Sequence, residues 1–217
     1  MIQGEKDIKG NTQNLYGARS QIVGYSLHGN RYLNISSRCT LRCTFCPKFN
    51  GVWDVRGHDL RLQTPPTVEE ILAAAGDPRR YREVVFCGLG EPTQRLYTLL
   101  EVAKQLREQG ARVRLNTDGL ANLTHGRDVT PDLEGNIDAM SVSLNAQNAA
   151  IYNRHCRPRS EGAYESMFDF VERARGFVPE ITLTAIDGLS GVDIAACKGI
   201  ARRFGVGFRR RVLGAVG

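Results

Sequence analysis

Two hydrophobic periods alternate along the chain: short strand-like runs, and longer stretches whose apolar residues recur every three or four positions. Residues 22–26 and 31–36 flank a His28-Gly29-Asn30 turn and predict a hairpin whose second arm leads into a group of cysteines. Thr67 and Glu70 have capping-box spacing for a helix running to about Ala75. Further strands are expected at 83–87, 112–116, 139–144, 181–185 and 207–212. Helices are expected at 94–108, 163–175 and 193–204, with Leu96, Leu99, Leu100, Ala103 and Leu106 near one face of the first. Strands alternating with helices in this way imply an α/β fold with a parallel sheet. About six βα-type units fit into 217 residues, whereas a complete eight-unit barrel takes ~250. The expectation is one domain over 22–217, a partial (β/α)6 TIM-type barrel with an N-terminal β-hairpin, after a polar lead-in at 1–21. An open doubly wound sheet is the architectural rival.

Composition changes this picture little. Hydrophobic residues make up 41% and charged residues 24%, as in ordinary soluble domains. No apolar run approaches the ~20 residues of a membrane span, and the first twenty residues lack a secretory apolar stretch. A cytoplasmic protein without membrane contact is expected. The net charge of +6 is spread along the chain, densest at Arg209-Arg210-Arg211 with Arg202 and Arg203 upstream. That balance fits an anionic small molecule, an RNA, or solubility alone.

Chemistry concentrates at Cys39-Thr40-Leu41-Arg42-Cys43-Thr44-Phe45-Cys46, a C-x3-C-x2-C run just after a predicted strand. Cysteines this close rarely meet disulfide geometry, so a metal or cluster is the better reading. Three thiolates on one loop ligate three irons of a cubane and leave the fourth open to a reactant. Structural zinc takes four closed ligands, and the nearest fourth candidate, His58, lies twelve residues beyond Cys46.

C-x3-C-x-aromatic-C at the head of an alternating βα chain resembles the signature of the radical S-adenosylmethionine (SAM) superfamily, with Phe45 in the aromatic place. The resemblance implies a [4Fe–4S] cluster on Cys39, Cys43 and Cys46, whose open iron binds SAM and whose electron cleaves it to a 5′-deoxyadenosyl radical. Cys87-Gly88-Leu89-Gly90-Glu91-Pro92 is similar to the family's G-G-E-P segment and implies that Gly88, Gly90 and Glu91 hold the SAM amino group. Leu89 stands where glycine is commoner. Arg114-Leu115-Asn116-Thr117-Asp118-Gly119 and Ser141-Val142-Ser143-Leu144-Asn145-Ala146 resemble the next strand ends, which implies roles for Asn116, Ser143 and Asn145 toward the sugar or carboxylate of SAM. Alone, each segment is an ordinary turn or strand end; all four lie in order at predicted strand ends, where barrel sites gather. FCGLGEPT, LNTDGLANL, SVSLNA and CRP resemble the TatD-associated radical SAM proteins, and more distantly the compact 7-carboxy-7-deazaguanine synthase and queuine lyase enzymes.

Other residues carry two readings each. Cys87 is the one catalytic candidate outside the motifs, against a small buried strand-end hydrophobe. Cys197 lies on an apolar helical stripe and belongs in the core, and Cys156 is expected in a packed loop, with a second functional thiol as the alternative. Residues 47–66 form a long connection containing Trp53, Arg56 and His58, a lid or a surface excursion. Arg209 and Arg211 share one face of the last strand and, with Arg154, are substrate candidates for a phosphate or carboxylate; solvated surface is the alternative. The expected function is reductive SAM cleavage followed by hydrogen abstraction from a small polar substrate, a 7-deazaguanine compound handled by a lyase being the first choice. Flavodoxin or ferredoxin is the expected electron donor. RNA modification and activation of a partner protein are the alternatives.

Anaerobic reconstitution should give about four irons per chain, as a cubane requires. Cys39→Ala, Cys43→Ala or Cys46→Ala should abolish iron binding, and Cys197→Ala should preserve it. Full iron retention by Cys43→Ala would exclude the cluster assignment.

Overall fold

The computed structural model describes residues 21–214, so the lead-in at 1–21 lies outside the described residues apart from Gln21. Strand β1 (Gly24–Leu27) pairs antiparallel with β2 (Asn30–Leu33) across the expected turn. From β2 onward the main sheet is parallel: β5 (Val84–Phe86), β6 (Val113–Thr117), β7 (Ala139–Ser143), β8 (Glu180–Asp187) and β9 (Gly207–Val212) follow in chain order. Six parallel strands with β1 on one edge are the expected partial barrel, and β9 and β1 are its two unjoined edges.

Helices α1 (Val68–Ala75), α2 (Leu96–Glu108), α5 (Ala163–Ala174) and α6 (Ile194–Arg203) stand where the periodicity places them. Both halves of the capping box form: the Glu70 N–H donates to Thr67 Oγ1 at 3.2 Å, and the Thr67 N–H to Glu70 Oε2 at 2.8 Å. Two helices escaped the sequence pattern. The short α3 (Ala121–His125) buries only Ala121, and α4 (Ala149–Cys156) has only eight residues on which to show a period. Cys156 therefore ends a helix rather than sitting in a loop.

The core lies between the helices and one face of the sheet. Val84, Phe86, Val113, Leu115, Met140, Val142 and Leu183 meet Leu99, Val102, Met167, Phe170 and Cys197, all fully buried. The other face is polar: the register aligns Arg114 with Ala139, Asn116 with Ser141, Ser143 with Thr184, and Thr184 with Arg209. Arg209 lies close enough to Tyr32 and Cys87 for their charges to interact. A flat sheet would hold β9 and β2 ~24 Å apart, five steps of ~4.8 Å. The sheet therefore curls, and its polar face is the concave one.

Glu83 and Glu180 plug the foot of this concave face. Arg114 donates to Glu83 at 2.7 Å and to Glu180 at 2.8 Å, and Arg112 bridges the same two carboxylates. Residues 47–66 form a small pinned unit rather than a free loop. Strands β3 (Asp54–Val55) and β4 (His58–Asp59) pair within it, and Val55 and Leu60 pack with Tyr25, Tyr32 and Leu89. The His58 ring lies tilted against Tyr25 with centroids 5.1 Å apart, and Trp53 lies under the Arg61 guanidinium.

Candidate functional site

The four candidate segments meet at the C-terminal ends of β2, β5, β6 and β7. Buried Leu41 roots the cysteine loop in the core, while Cys39, Cys43 and Cys46 remain partly exposed and are free thiols. The C-terminal end of α4 holds the loop through its backbone. Arg42 N–H donates to the Cys156 carbonyl at 3.0 Å, Thr44 N–H to that of His155 at 2.8 Å, and Arg159 N–H to that of Thr40 at 3.3 Å. Burial, with Asp118 and Glu91 nearby, pushes the Cys39 thiol up to about 12. A hydrogen bond with Cys156, then burial, pushes Cys43 up as well. To ligate iron, both thiols must give up their protons to the metal, since the thiolate is the ligand. Among the described residues no three His, Cys, Asp or Glu groups converge on a single-ion position. A cubane spreads its cysteines over separate irons, so a shared point is not needed.

The glycine segment lies against the cysteine loop so closely that side chains are excluded. A Cβ on Gly90 would fall well inside contact of the Ser36 carbonyl, and one on Gly88 would collide with Asn34 Oδ1. The Glu91 N–H donates to the Arg38 carbonyl at 2.7 Å, joining the two loops. Leu89 supplies apolar surface to the pinned 47–66 unit, which accounts for its departure from glycine.

The Glu91 carboxylate, expected to face an ammonium group, is turned inward and is only 3% exposed. Its Oε1 accepts from the Thr93 N–H (3.0 Å), the Thr93 hydroxyl (2.8 Å) and the Thr117 hydroxyl (2.8 Å). Its Oε2 accepts from the Asp118 N–H at 2.7 Å. Buried Asp118 in turn accepts from the Thr40 hydroxyl and the Leu120 N–H. One pair of carboxyls therefore ties together the cysteine loop, the glycine segment and the end of β6. Thr93, Thr117 and Asp118 were not singled out from the sequence, since only the fold brings them to Glu91. Burial, then the Asp118 carboxylate beside it, pushes the Glu91 carboxyl up to about 8, and burial raises Asp118 too.

On the concave face, burial pushes the Cys87 thiol up, and Asn116 Oδ1 is buried without a partner. Ser143 ends β7 on the same face in register with Thr184. Asn145 just beyond is buried with φ 57°, a left-handed conformation that asparagine tolerates better than most residues. Its Nδ2 donates to Cys156 Sγ at 3.6 Å, and its Oδ1 has no partner. Phe45 is half-buried against the core.

Arg209 and Arg211 both belong to the concave face. Arg209 Nη2 reaches Ser141 Oγ at 3.4 Å, and Arg114 Nη1 reaches the same hydroxyl at 3.4 Å. Neither Arg209 nor Arg211 has a carboxylate partner among the described residues, whereas Arg210 on the opposite face pairs with Asp187 at 2.8 Å. Burial, then Arg114 and Arg211, lowers the Arg209 pKa. Arg154 does not join them: it is exposed on α4, beside Gly191.

The sequence model of the Radical SAM superfamily matches residues 33–204. The chain belongs to the radical SAM superfamily. It is accordingly an enzyme whose cofactors are a [4Fe–4S] cluster and SAM, and the residues present fit that pair: three thiols on one loop, a side-chain-free glycine cradle, and buried polar atoms without partners. In sequence the chain is similar to a probable dual-specificity RNA methyltransferase, RlmN, of Leptospira biflexa, 31% identical over 103 residues. That match covers 42% of the chain and only 27% of the relative's length. The fold resembles TYW1 with a lysine-pyruvate adduct bound, at 18% identity and a TM-score of 0.60, covering 87% of this chain and 66% of that one. It also resembles Streptococcus suis SuiB bound to S-adenosylmethionine, at 13% identity and a TM-score of 0.61, covering 85% of this chain and 40% of that one. No helix among the described residues of this radical SAM enzyme is long and apolar enough to cross a membrane.

A carboxyl whose folded pKa is raised favours the fold in its protonated form. The Glu91 contribution is therefore full below the ordinary value of 4.5 and is lost as pH rises through about 8. Between about pH 5 and 8 the melting temperature of the cluster-free chain should fall, and Glu91→Gln, which stays neutral, should flatten the decline. An equally steep decline in Glu91→Gln would contradict the buried-carboxyl assignment.

Proposed function

We propose that this enzyme cleaves SAM reductively at a [4Fe–4S] cluster on Cys39, Cys43 and Cys46, and that the resulting radical takes hydrogen from a small anionic substrate seated against Arg209 and Arg211. The observation that carries the substrate reading is the charge arrangement of the concave face. Arg114 is neutralised by two glutamates, but Arg209 and Arg211 face the same space with no carboxylate partner among the described residues. An exposed cation flanked by two like charges gains from a bound anion, and guanidinium suits carboxylate or phosphate.

In this reading the backbone of residues 88–90 receives the SAM amino group, and Glu91 acts by fixing that backbone. Asn116 and Ser143 face the sugar or carboxylate; the free Oδ1 of Asn145 and the ring of Phe45 border the same ligand. The partly exposed Tyr32 ring, backed by buried Tyr25 with centroids 5.2 Å apart, borders the concave face and favours a flat heteroaromatic substrate. A 7-deazaguanine acid, processed in a lyase reaction, fits both the arginines and the resemblance to the compact deazaguanine enzymes. Reduced flavodoxin or ferredoxin would supply the electron. The similarity to an RNA methyltransferase favours RNA modification as a second reading.

The test is 5′-deoxyadenosine release from reconstituted enzyme, SAM and reductant with a panel of heteroaromatic acids, nucleotides and tRNA. A small acid should stimulate release. Arg209→Ala should raise its KM ten- to a hundredfold, about 1.5–3 kcal/mol for a lost charge-assisted bond. Stimulation by RNA alone, weakening steeply with salt, would replace the small-substrate reading with the second one. A small acid whose KM is unchanged in Arg209→Ala and Arg211→Ala would move its binding site elsewhere.

A further inference from the structure

The turn that follows the last cysteine of the motif leaves an aromatic ring in solvent. No residue of Pro47–Asn50 is buried, Phe49 is 39% exposed, and nearby Val52 is 50% exposed. Single exposed apolar residues are ordinary, but an apolar pair inside a charged rim has the anatomy of an interface.

The rim here is cationic. The Arg42 guanidinium lies 5.6 Å and the Lys48 ammonium 4.7 Å from the centre of the Phe49 ring, and Lys48 also donates to the Ser37 carbonyl at 2.9 Å. Arg157 and Arg159, both exposed, follow the end of α4, where backbone bonds join them to the cysteine loop. Arg42 N–H donates to the Arg157 carbonyl at 3.3 Å, and Arg159 N–H to the Thr40 carbonyl at 3.3 Å. The two segments brought together, 36–53 and 139–160, contain no acid. None of the four cations pairs with a carboxylate among the described residues, whereas Arg107, Arg127, Arg173 and Arg210 all do.

The patch stands on the cysteine loop itself. Phe49 N–H donates to the Cys46 carbonyl at 3.1 Å, so whatever covers the ring lies one turn from a thiol proposed to hold iron. None of these residues belongs to the strands of the concave face, so this charge is separate from Arg209 and Arg211. Reductive cleavage needs an electron delivered to the cluster, which a carrier seated here is placed to do. An RNA substrate would instead have to enter the concave face. A small apolar centre in a charged rim also suits the limited area of transient redox complexes.

We infer that Arg42, Lys48, Arg157 and Arg159, around Phe49 and Val52, form the docking surface for the reductant of the cluster, an acidic one-electron carrier protein of the flavodoxin kind. This rests on the cluster reading proposed above. One electron passes from the reduced carrier to the cluster, no covalent bond forms or breaks, and the oxidised carrier leaves. Opposite charge steers the encounter, and the small contact leaves the complex weak enough to turn over.

The test uses reconstituted enzyme and flavodoxin. Calorimetry gives the Kd, and 5′-deoxyadenosine release is driven either by reduced flavodoxin or by dithionite. Arg157→Glu and Arg159→Glu should each weaken flavodoxin binding about tenfold, lessen its salt dependence and raise the KM for reduced flavodoxin by the same factor. Phe49→Ser should weaken binding similarly but keep the salt dependence, because it removes apolar contact and no charge. Lys198→Glu, an equal charge change on α6, should bind as wild type does, and all four variants should keep the wild-type rate with dithionite. Wild-type Kd and KM in Arg157→Glu, Arg159→Glu and Phe49→Ser would overturn the inference, as would an equal loss in Lys198→Glu. Transfer RNA that binds wild type more tightly than flavodoxin, and is lost in the same three variants, would give the surface to RNA and overturn it too. A wild-type chain that takes up no cluster would refute the cluster reading and this inference with it. Dithionite-driven SAM cleavage by a chain that binds no flavodoxin would refute this inference alone.

Discussion

The site depends on one close approach: the glycine segment after β5 lies directly on the chain that carries the cysteines. No side chain fits at Gly88 or Gly90, because Asn34 Oδ1 and the Ser36 carbonyl occupy those positions. The Glu91 N–H to Arg38 bond fastens this contact on one side, and the Glu91 carboxyl fastens the end of β6 to it on the other. Asp118 carries the chain of bonds on to Thr40, inside the cysteine motif. A buried carboxyl pair costs desolvation, and here that cost is offset by six named donors on three segments. The result is rigid placement of backbone rather than a free acid at the mouth.

Charge is distributed with the same economy along the concave face. The foot is neutral, because Glu83 and Glu180 answer Arg112 and Arg114, while the upper part of β9 is left positive. The overall basicity of the chain therefore says less than the position of two arginines. Arg210, between them in sequence, points away and is paired, which the strand's period of two requires.

Much of this was legible in the sequence. The alternating periods predicted six parallel strands, the hairpin and four of the six helices among the described residues, and β9 falls on its predicted residues. The cysteine spacing and the ordered strand-end segments pointed to the right superfamily, because such motifs are local and fixed by what they must touch. What was not legible depends on contacts between distant segments. Glu91 reads as a ligand-facing acid until β6 brings Thr117 and Asp118 to it. Leu89 reads as a motif defect until the 55–60 hairpin packs on it. Helix α4 is too short to show a period, so the hold of its His155 and Cys156 carbonyls on the cysteine loop could not be foreseen.

The central claim is that these loops hold a cluster with one iron open to SAM. The most direct measurement is the electron paramagnetic resonance spectrum of the reduced, reconstituted enzyme before and after SAM is added. A [4Fe–4S] signal whose shape changes on adding SAM is the predicted result. A signal indifferent to SAM, with all four irons already ligated, would contradict it.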